Sequence, residues 1–250
     1  MSLNLAVLAE EWGRGTLRDP LQHFRARTRR RCSCCGFEGH FVSSGWNGQE
    51  AFRCPNCSSR PRDRQIALIL ERAGIDLAKG KVLHFAPEWP LFRKLKDNPG
   101  YVGGDIIQRR NANAVVDITK IQFGDDAFDY LVCNHVLEHV PDDARAISEC
   151  YRVMKPGGLA FFSVPISDAA ETWNPPADMP KDEIERRCGW DHVRLYGRDF
   201  GAILARAGFA VTEVTFSAAD REAYSLLDET MYVATKGGRE FNWPDRGAVA

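Results

Sequence analysis

Five short apolar runs between residues 81 and 165 alternate with stretches of helical character, and this alternation restricts the fold more than any other feature of the sequence. Short buried strands that alternate with helices are typical of a parallel sheet covered on both faces. In such sheets, ligands bind beyond the carboxyl ends of the strands. The sequence therefore predicts a ligand site where the runs end on polar residues, at Asp105, Asp117, Asn134 and His135.

Length and composition narrow the class of protein. The chain has 250 residues, of which 44% are hydrophobic and 27% charged, as in a globular protein of one large domain or one domain with a small module. No apolar stretch is as long as a membrane helix, and the first ten residues lack the pattern of a signal peptide. We therefore expect a cytoplasmic protein. The formal net charge of −1 argues against a wholly basic nucleic-acid binder but allows a local basic patch.

Five of the eight cysteines lie between Cys32 and Cys57, in the pattern Cys-x2-Cys, eighteen residues, Cys-x2-Cys. Two such turns supply four thiolates, which predicts a structural zinc ribbon with Cys32, Cys35, Cys54 and Cys57 as ligands. Gly36 follows the first pair, where a positive φ is expected. Cys34 is an additional thiol that competes for a ligand position. The alternative is a redox-active dithiol pair.

The predicted organisation has three parts. Residues 1–31 form a helical and basic segment, residues 32–58 the zinc ribbon, and residues 59–250 the main domain. Five arginines lie between positions 25 and 31, and three more, Arg60, Arg62 and Arg64, begin a helix predicted over residues 59–73. The first group contacts phosphates or an acidic partner, or forms a solvated linker. The second group has partners on the ribbon, binds a nearby anion or is simply exposed to solvent, and the sequence leaves these alternatives open.

Two motifs carry a resemblance to a known family. The run from Asp125 to Tyr130 continues into Asn134-His135-Val136-Leu137-Glu138-His139-Val140-Pro141, and a second run spans Tyr151 to Gly158. Both resemble the S-adenosylmethionine-dependent methyltransferases of Rossmann-like fold, in particular the type 11-like group, over roughly residues 81–236. The resemblance implies an α/β fold with a seven-stranded, mostly parallel sheet whose last strand is antiparallel. A ribbon placed before such a sheet is similar to a group of zinc-ribbon methyltransferases.

The resemblance also assigns the cofactor residues. Asp105 and Ile106 would meet the ribose, Asp117 and Ile118 the adenine, and Asn134 and His135 the methionine end. The loop after the first strand departs from the family because it has no glycine; there the chain offers Phe85, Ala86 and Glu88. In one interpretation, the small Ala86 leaves room for the methionine part of the cofactor, and Glu88 accepts a hydrogen bond from the cofactor's ammonium group. In the other, the site is degenerate and the protein is an inactive scaffold.

The remaining candidates concern catalysis and the substrate. His135 is a candidate base. His135 and His139 are four residues apart and would share one helical face. Together with Glu138 they allow a metal site, although the family motif accounts for these residues without metal. Residues 166–197 form a predicted lid, which ends with Trp190, His192, Arg194 and Tyr196.

Within that lid, His192 and Tyr196 are candidate catalytic residues, and Arg194 and Trp190 are candidate substrate ligands. Alternatively, His192 and Arg194 hold the segment in place through hydrogen bonds. Residues 237–250 are expected to form a loose tail.

The sequence therefore predicts a methyltransferase that uses S-adenosylmethionine and a structural Zn²⁺, and that methylates an oxygen of a small molecule or saccharide, with no membrane partner. A second hypothesis is an rRNA or tRNA base methyltransferase whose ribbon and arginines bind RNA. A third is an inactive zinc-ribbon interaction protein on the same scaffold.

Overall fold

The computed structural model describes residues 28–42 and 52–243. The helices expected within residues 1–24, the arginines at positions 25 and 27, and the end of the C-terminal tail lie outside the described residues. In chain order the elements are β1 (Arg30–Arg31), β2 (Glu38–Gly39), α1 (Pro61–Ala73), β3 (Val82–Phe85), α2 (Trp89–Leu95), β4 (Tyr101–Asp105), β5 (Ala114–Val115), β6 (Phe128–Asn134), α3 (Asp143–Val153), β7 (Met154–Ser163), α4 (Lys181–Cys188), α5 (Phe200–Arg206), β8 (Phe209–Val214), α6 (Ala218–Tyr224) and β9 (Met231–Lys236).

Seven strands form one sheet in the order β5-β4-β3-β6-β7-β9-β8. The strands β3 to β7 pair in parallel, whereas β9 is antiparallel to both of its neighbours, β7 and β8. The predicted Rossmann-like sheet with an antiparallel last strand is therefore confirmed. Because β3, β4 and β6 are adjacent and parallel, their carboxyl ends meet at one edge.

Both faces of this sheet are covered, as the near-continuous apolar runs predict. Leu83 and Leu131 point into one core and Val82 and Val132 into the other, because side chains alternate along each strand. Helix α1 packs on the second core through Ile66, Leu68 and Ile69.

The end of helix α1 matches the prediction, whereas the C-terminal segment differs from it. Helix α1 ends, as predicted, at Gly74, which adopts the left-handed conformation with φ of 65°. The expectation of a loose tail is wrong as far as residue 243, because Phe241 and Trp243 are buried in the second core. The Phe241 carbonyl also accepts a hydrogen bond from the Thr212 hydroxyl at 3.1 Å. In the part of the chain that the structure describes, no helix is long and apolar enough to cross a membrane.

Candidate cofactor and metal sites

The loop after β3 adopts a backbone conformation that glycine usually provides. Ala86 has φ of 43°, in the left-handed region that residues with a Cβ rarely enter. Its N–H donates to the Gly104 carbonyl at 2.8 Å, which ties the loop to the end of β4. The loop without glycine therefore still makes the turn, with alanine bearing the strain.

Glu88, a predicted cofactor residue, has internal partners. Its Oε2 lies 2.8 Å from Nε2 of His84, and its Oε1 lies 3.7 Å from Nε of Arg62. The other ring nitrogen of the fully buried His84 is 3.1 Å from the Tyr101 hydroxyl. Burial alone would raise the pKa of Glu88, but the bond to His84 and the charges of His84 and Arg62 hold it below its usual value. His84 was not among the predicted site residues; the one feature of the sequence that could have indicated it is a polar residue inside an apolar strand.

Asp105 lies at the end of β4, as predicted, and is only 6% exposed. Its carboxylate pairs with Nε of Arg109 at 2.8 Å and accepts from the Ile107 N–H at 3.3 Å. The adjacent Ile106 and Ile107 are 62% and 54% exposed. An anchored carboxylate beside exposed apolar side chains fits a nucleoside, because the acid can bind ribose hydroxyls and the apolar groups can cover a base.

The residues after strand β5 contribute less to the candidate cofactor site. Asp117 is exposed, and its Oδ1 accepts from the N–H and hydroxyl of Thr119 at 2.8 and 2.7 Å, so the carboxylate stabilises a turn. Ile118 and Phe85 are buried beneath the edge. The described geometry thus provides an ordinary turn at Asp117, while its contact with an adenine amino group stays a prediction.

Asn134 ends β6 and is 2% exposed. Its Oδ1 accepts from the Ser163 hydroxyl, and its Nδ2 has no hydrogen-bond partner among the described residues. A cavity of about 360 Å³ between α1 and α2 reaches Asn134 and Glu88. A buried donor without a partner at the strand ends fits a ligand with acceptor atoms, such as the carboxylate of S-adenosylmethionine.

His135 does not belong to a helix, which corrects the expectation that it shares a helical face with His139. Its φ is 52°, and the following helix is a single 3₁₀ turn over Leu137–His139. Nδ1 of His135 lies 3.3 Å from Glu138 Oε1, and Nε2 lies 3.8 Å from Glu229 Oε2. Burial lowers the pKa of His135, but the nearby carboxylates of Glu138 and Glu229 outweigh burial and raise the pKa above its usual value. No sequence pattern had linked Glu229 to this site.

Residues 166–197 contain α4, and the bridges Ile166–Tyr196 and Trp173–Leu195 bring the two ends of this segment together. Tyr196 is fully buried, and its hydroxyl donates to Asp143 at 2.7 Å. Arg194 is 5% exposed and donates to the Pro141 carbonyl at 2.7 Å and to Asp143 at 2.8 Å. These contacts favour the alternative in which Arg194 holds the segment in place, and they give Tyr196 the same role.

The other two predicted residues of this segment lie nearer the surface. Trp190 is 83% exposed. His192 is partly exposed, and its ring packs edge-on against His139 with 4.8 Å between centroids. Both remain accessible to a ligand, and their roles stay predictions.

The four predicted zinc ligands converge. Cys32 Sγ lies 3.6 Å from Cys57 Sγ, and Cys35 Sγ lies 3.7 Å from Cys54 Sγ. Four sulfurs around Zn²⁺ at about 2.3 Å are separated by about 3.8 Å. The cysteine cluster therefore fits a tetrahedral zinc site without an open position. Cys34 lies outside the cluster, and its thiol donates to the Asp63 carbonyl at 3.3 Å.

Both cysteine turns have the same backbone. Gly36 has the expected positive φ, 71°, and Ser58 occupies the equivalent position with φ of 65°. The N–H of each donates to the first cysteine of its pair, to Cys32 at 2.8 Å and to Cys54 at 2.9 Å. Asn56 Nδ2 donates to Cys35 Sγ at 3.4 Å. Such a bond stabilises a thiolate.

Arginines at the start of α1 point into the structure. Arg64 is fully buried and donates to the carbonyls of Ser59 at 2.6 Å, Tyr224 at 2.8 Å and Phe52 at 3.1 Å. Arg62 pairs with Glu88. These two side chains are therefore used internally rather than offered to a phosphate backbone.

The Rossmann-like sheet with polar residues at its carboxyl edge is the architecture of a methyltransferase domain, and known proteins share it. The family described as a methyltransferase domain matches residues 13–214. The chain belongs to this family of S-adenosylmethionine-dependent methyltransferases.

Individual relatives match shorter parts. Ubiquinone biosynthesis O-methyltransferase from Pseudomonas putida (strain W619) is 53% identical over 38 residues, which cover 15% of this chain and 16% of that protein. A protein of Mycolicibacterium smegmatis named "Probable S-adenosylmethionine-dependent methyltransferase" is 30% identical over 97 residues, covering 39% of this chain and 34% of that protein. The chain thus spans about a sixth to a third of the length of these curated relatives.

Solved structures resemble this chain at low sequence identity. The [4+2]-cyclase SpnF superimposes with a TM-score of 0.49 and 18% identity, covering 80% of this chain and 88% of that one. The 1,6-didemethyltoxoflavin-N1-methyltransferase of Burkholderia thailandensis gives 0.47 and 14%, covering 69% and 76%.

Proposed function

We propose that this protein transfers the methyl group of S-adenosylmethionine to a hydroxyl oxygen of a small molecule or saccharide. The observation that carries the proposal is the arrangement at one sheet edge, where Ala86 makes a glycine-like turn between Asp105 and Asn134. The 38-residue segment that is 53% identical to a ubiquinone biosynthesis O-methyltransferase supports oxygen as the acceptor.

Each residue at this edge has a proposed task. Asp105 binds the ribose hydroxyls, with Ile106 over the nucleoside. Asn134 binds the methionine carboxylate through Nδ2, which has no partner within residues 28–42 and 52–243. The cofactor supplies an electrophilic methyl group. The protein contributes by aligning the acceptor oxygen with that methyl group and by removing the hydroxyl proton.

His135 is the proposed base. It lies directly after Asn134 and has carboxylates on both ring nitrogens, at 3.3 and 3.8 Å. These carboxylates stabilise the imidazolium that forms when the hydroxyl proton is taken. The longer contact, to Glu229, is the one that an acceptor hydroxyl can replace.

The cofactor site is tested by calorimetric titration of the zinc-loaded protein with S-adenosylmethionine and with S-adenosylhomocysteine. We expect micromolar binding that weakens by about a hundredfold in Asp105→Ala, since the substitution removes a charge-assisted hydrogen-bond partner. Asp97→Ala is the matched control, because Asp97 is an 85% exposed acid that forms a surface ion pair with the adjacent Lys96. Absence of binding by the wild-type protein would contradict the proposal.

The acceptor is tested with methyl-labelled cofactor and panels of phenols, saccharides, amines and RNA. Label in an oxygen ether agrees with the proposal. Label confined to nitrogen would reject oxygen as the acceptor, and label in RNA that falls steeply with salt would favour the RNA hypothesis instead.

A further inference from the structure

Three metal-binding side chains meet outside the cysteine cluster. Glu138 and His139 belong to the 3₁₀ turn after β6, and His192 belongs to the segment 166–197. Their ligand atoms all lie within 4.8 Å of one another. A backbone hydrogen bond from the Val193 N–H to the Glu138 carbonyl, at 2.8 Å, holds the two segments in this register.

The ring of His139 is oriented as in a metal ligand. Its Nδ1 lies 2.7 Å from the Asp191 carbonyl oxygen, which can only accept, so Nδ1 carries the proton. The lone pair is therefore on Nε2, which lies 4.0 Å from Glu138 Oε1. Metal-binding histidines characteristically donate their other N–H to a carbonyl or carboxylate in this way.

Glu138 provides an independent observation. The residue is 2% exposed, and its Oε2 has no hydrogen-bond partner among the described residues. A buried carboxylate oxygen without a donor is costly, and a cation would satisfy it. The other oxygen, Oε1, is 3.3 Å from His135 Nδ1, so His135 helps to fix the orientation of the carboxylate.

We propose that Glu138, His139 and His192 form a second metal site, which binds a divalent transition ion of the Zn²⁺ or Co²⁺ type. Two imidazoles and one carboxylate suit these ions, whereas Mg²⁺ and Ca²⁺ prefer oxygen ligands alone. Three protein ligands leave a coordination position for water, in contrast to the closed cysteine site. His139 and His192 are partly exposed, so the ion has a route from solvent.

A bound ion would join two segments that are distant in the sequence. The ion would bind the turn after β6 to residues 166–197 at the same sheet edge as Asn134. This inference depends only on the three side chains and stands whether or not the proposed acceptor is correct.

Titration of the full-length protein with Co²⁺ tests the site, because the two sites have different spectra. Four thiolates give intense sulfur-to-cobalt charge transfer, while a site of two histidines and a glutamate gives only weak ligand-field bands. We expect two equivalents per chain in the wild type. His192→Asn should keep the thiolate spectrum and weaken the second equivalent by at least about tenfold.

His40→Asn is the matched control, because His40 is an exposed histidine outside the cluster, and it should retain both equivalents. A wild-type protein that binds one ion, or a second equivalent that persists in His192→Asn, would overturn the proposal. The retained thiolate spectrum reports that the variant is folded. If the variant does not fold, anomalous scattering from wild-type crystals grown with Zn²⁺ tests the site instead. A peak between the three side chains supports the proposal, and its absence overturns it.

Discussion

His84 in strand β3 and Glu88 in the glycine-free loop that follows it form a buried pair, with 2.8 Å between Nε2 and Oε2. Breaking such a pair leaves an uncompensated polar group inside the protein. We therefore expect Glu88→Ala to lower the free energy of unfolding by about 3 kcal/mol in denaturant titrations. Glu71→Gln is the control, because Glu71 pairs with Arg31 at the surface, and it should change stability by less than about 0.5 kcal/mol. Equal effects of the two variants would mean that the pair is not structurally important.

Methyl transfer should depend on pH through His135. Its pKa lies above the ordinary value of 6.5, so the base is protonated at that pH. A base must be unprotonated to accept the hydroxyl proton, so kcat/KM should rise with pH, and the midpoint of the rise should lie above 6.5. His135→Asn should lower kcat and flatten this limb. An unchanged profile in the variant would assign the base elsewhere.

Asp63 should make stability depend on pH in the opposite sense to most carboxylates. Burial, and then the charge of Glu88, raise the pKa of Asp63 from 3.8 to about 7. Between these values the unfolded chain releases a proton that the folded chain keeps, so this group favours the folded state less as pH rises from about 4 to about 7.

The substitution Asp63→Asn isolates this effect. Asparagine keeps an oxygen that can accept from the Arg60 N–H, as Asp63 does at 2.8 Å. The difference in unfolding free energy between variant and wild type should grow in favour of the variant across this pH range. A constant difference would contradict the raised pKa.

Loss of zinc should destabilise more than the ribbon. Arg64, in helix α1, donates to the Phe52 carbonyl in the ribbon, to the Ser59 carbonyl just before the helix and to the Tyr224 carbonyl at the end of α6. In thermal unfolding, Cys57→Ser should therefore lower the single transition of the whole chain, whereas Cys34→Ser should have a much smaller effect. Two separate transitions in Cys57→Ser would show that the ribbon is an independent unit.

Ala86→Gly should stabilise the protein. A left-handed residue with a Cβ costs about 1–2 kcal/mol, which exceeds the entropy that glycine adds to the unfolded chain, about 0.4–1 kcal/mol. We expect a rise of about 0.5–1 kcal/mol in unfolding free energy and unchanged cofactor affinity. Ala112→Gly is the control and should destabilise, because Ala112 is buried and has no positive φ.

The order and type of the strands could be predicted because each strand is a short apolar run bounded by turns, as at Tyr101–Asp105. The cysteine ligands could be predicted because their spacing in sequence fixes their geometry. Contacts between distant residues could not. Glu229 reaches His135 only because β9 returns to the sheet beside β7. Arg194 is buried, contrary to expectation, because it pairs with Asp143, which is 51 positions earlier in the chain.

Strand β9 lies between β7 and β8, although it is the last of the three in the chain. During synthesis β8 leaves the ribosome first and, among the described strands, has no neighbour until residues 231–236 follow. The unpaired edge of β7 stays open for the same interval and is available for pairing with another nascent chain. A premature stop before Met231 would therefore remove two strands from the sheet rather than one, and we expect such products to aggregate.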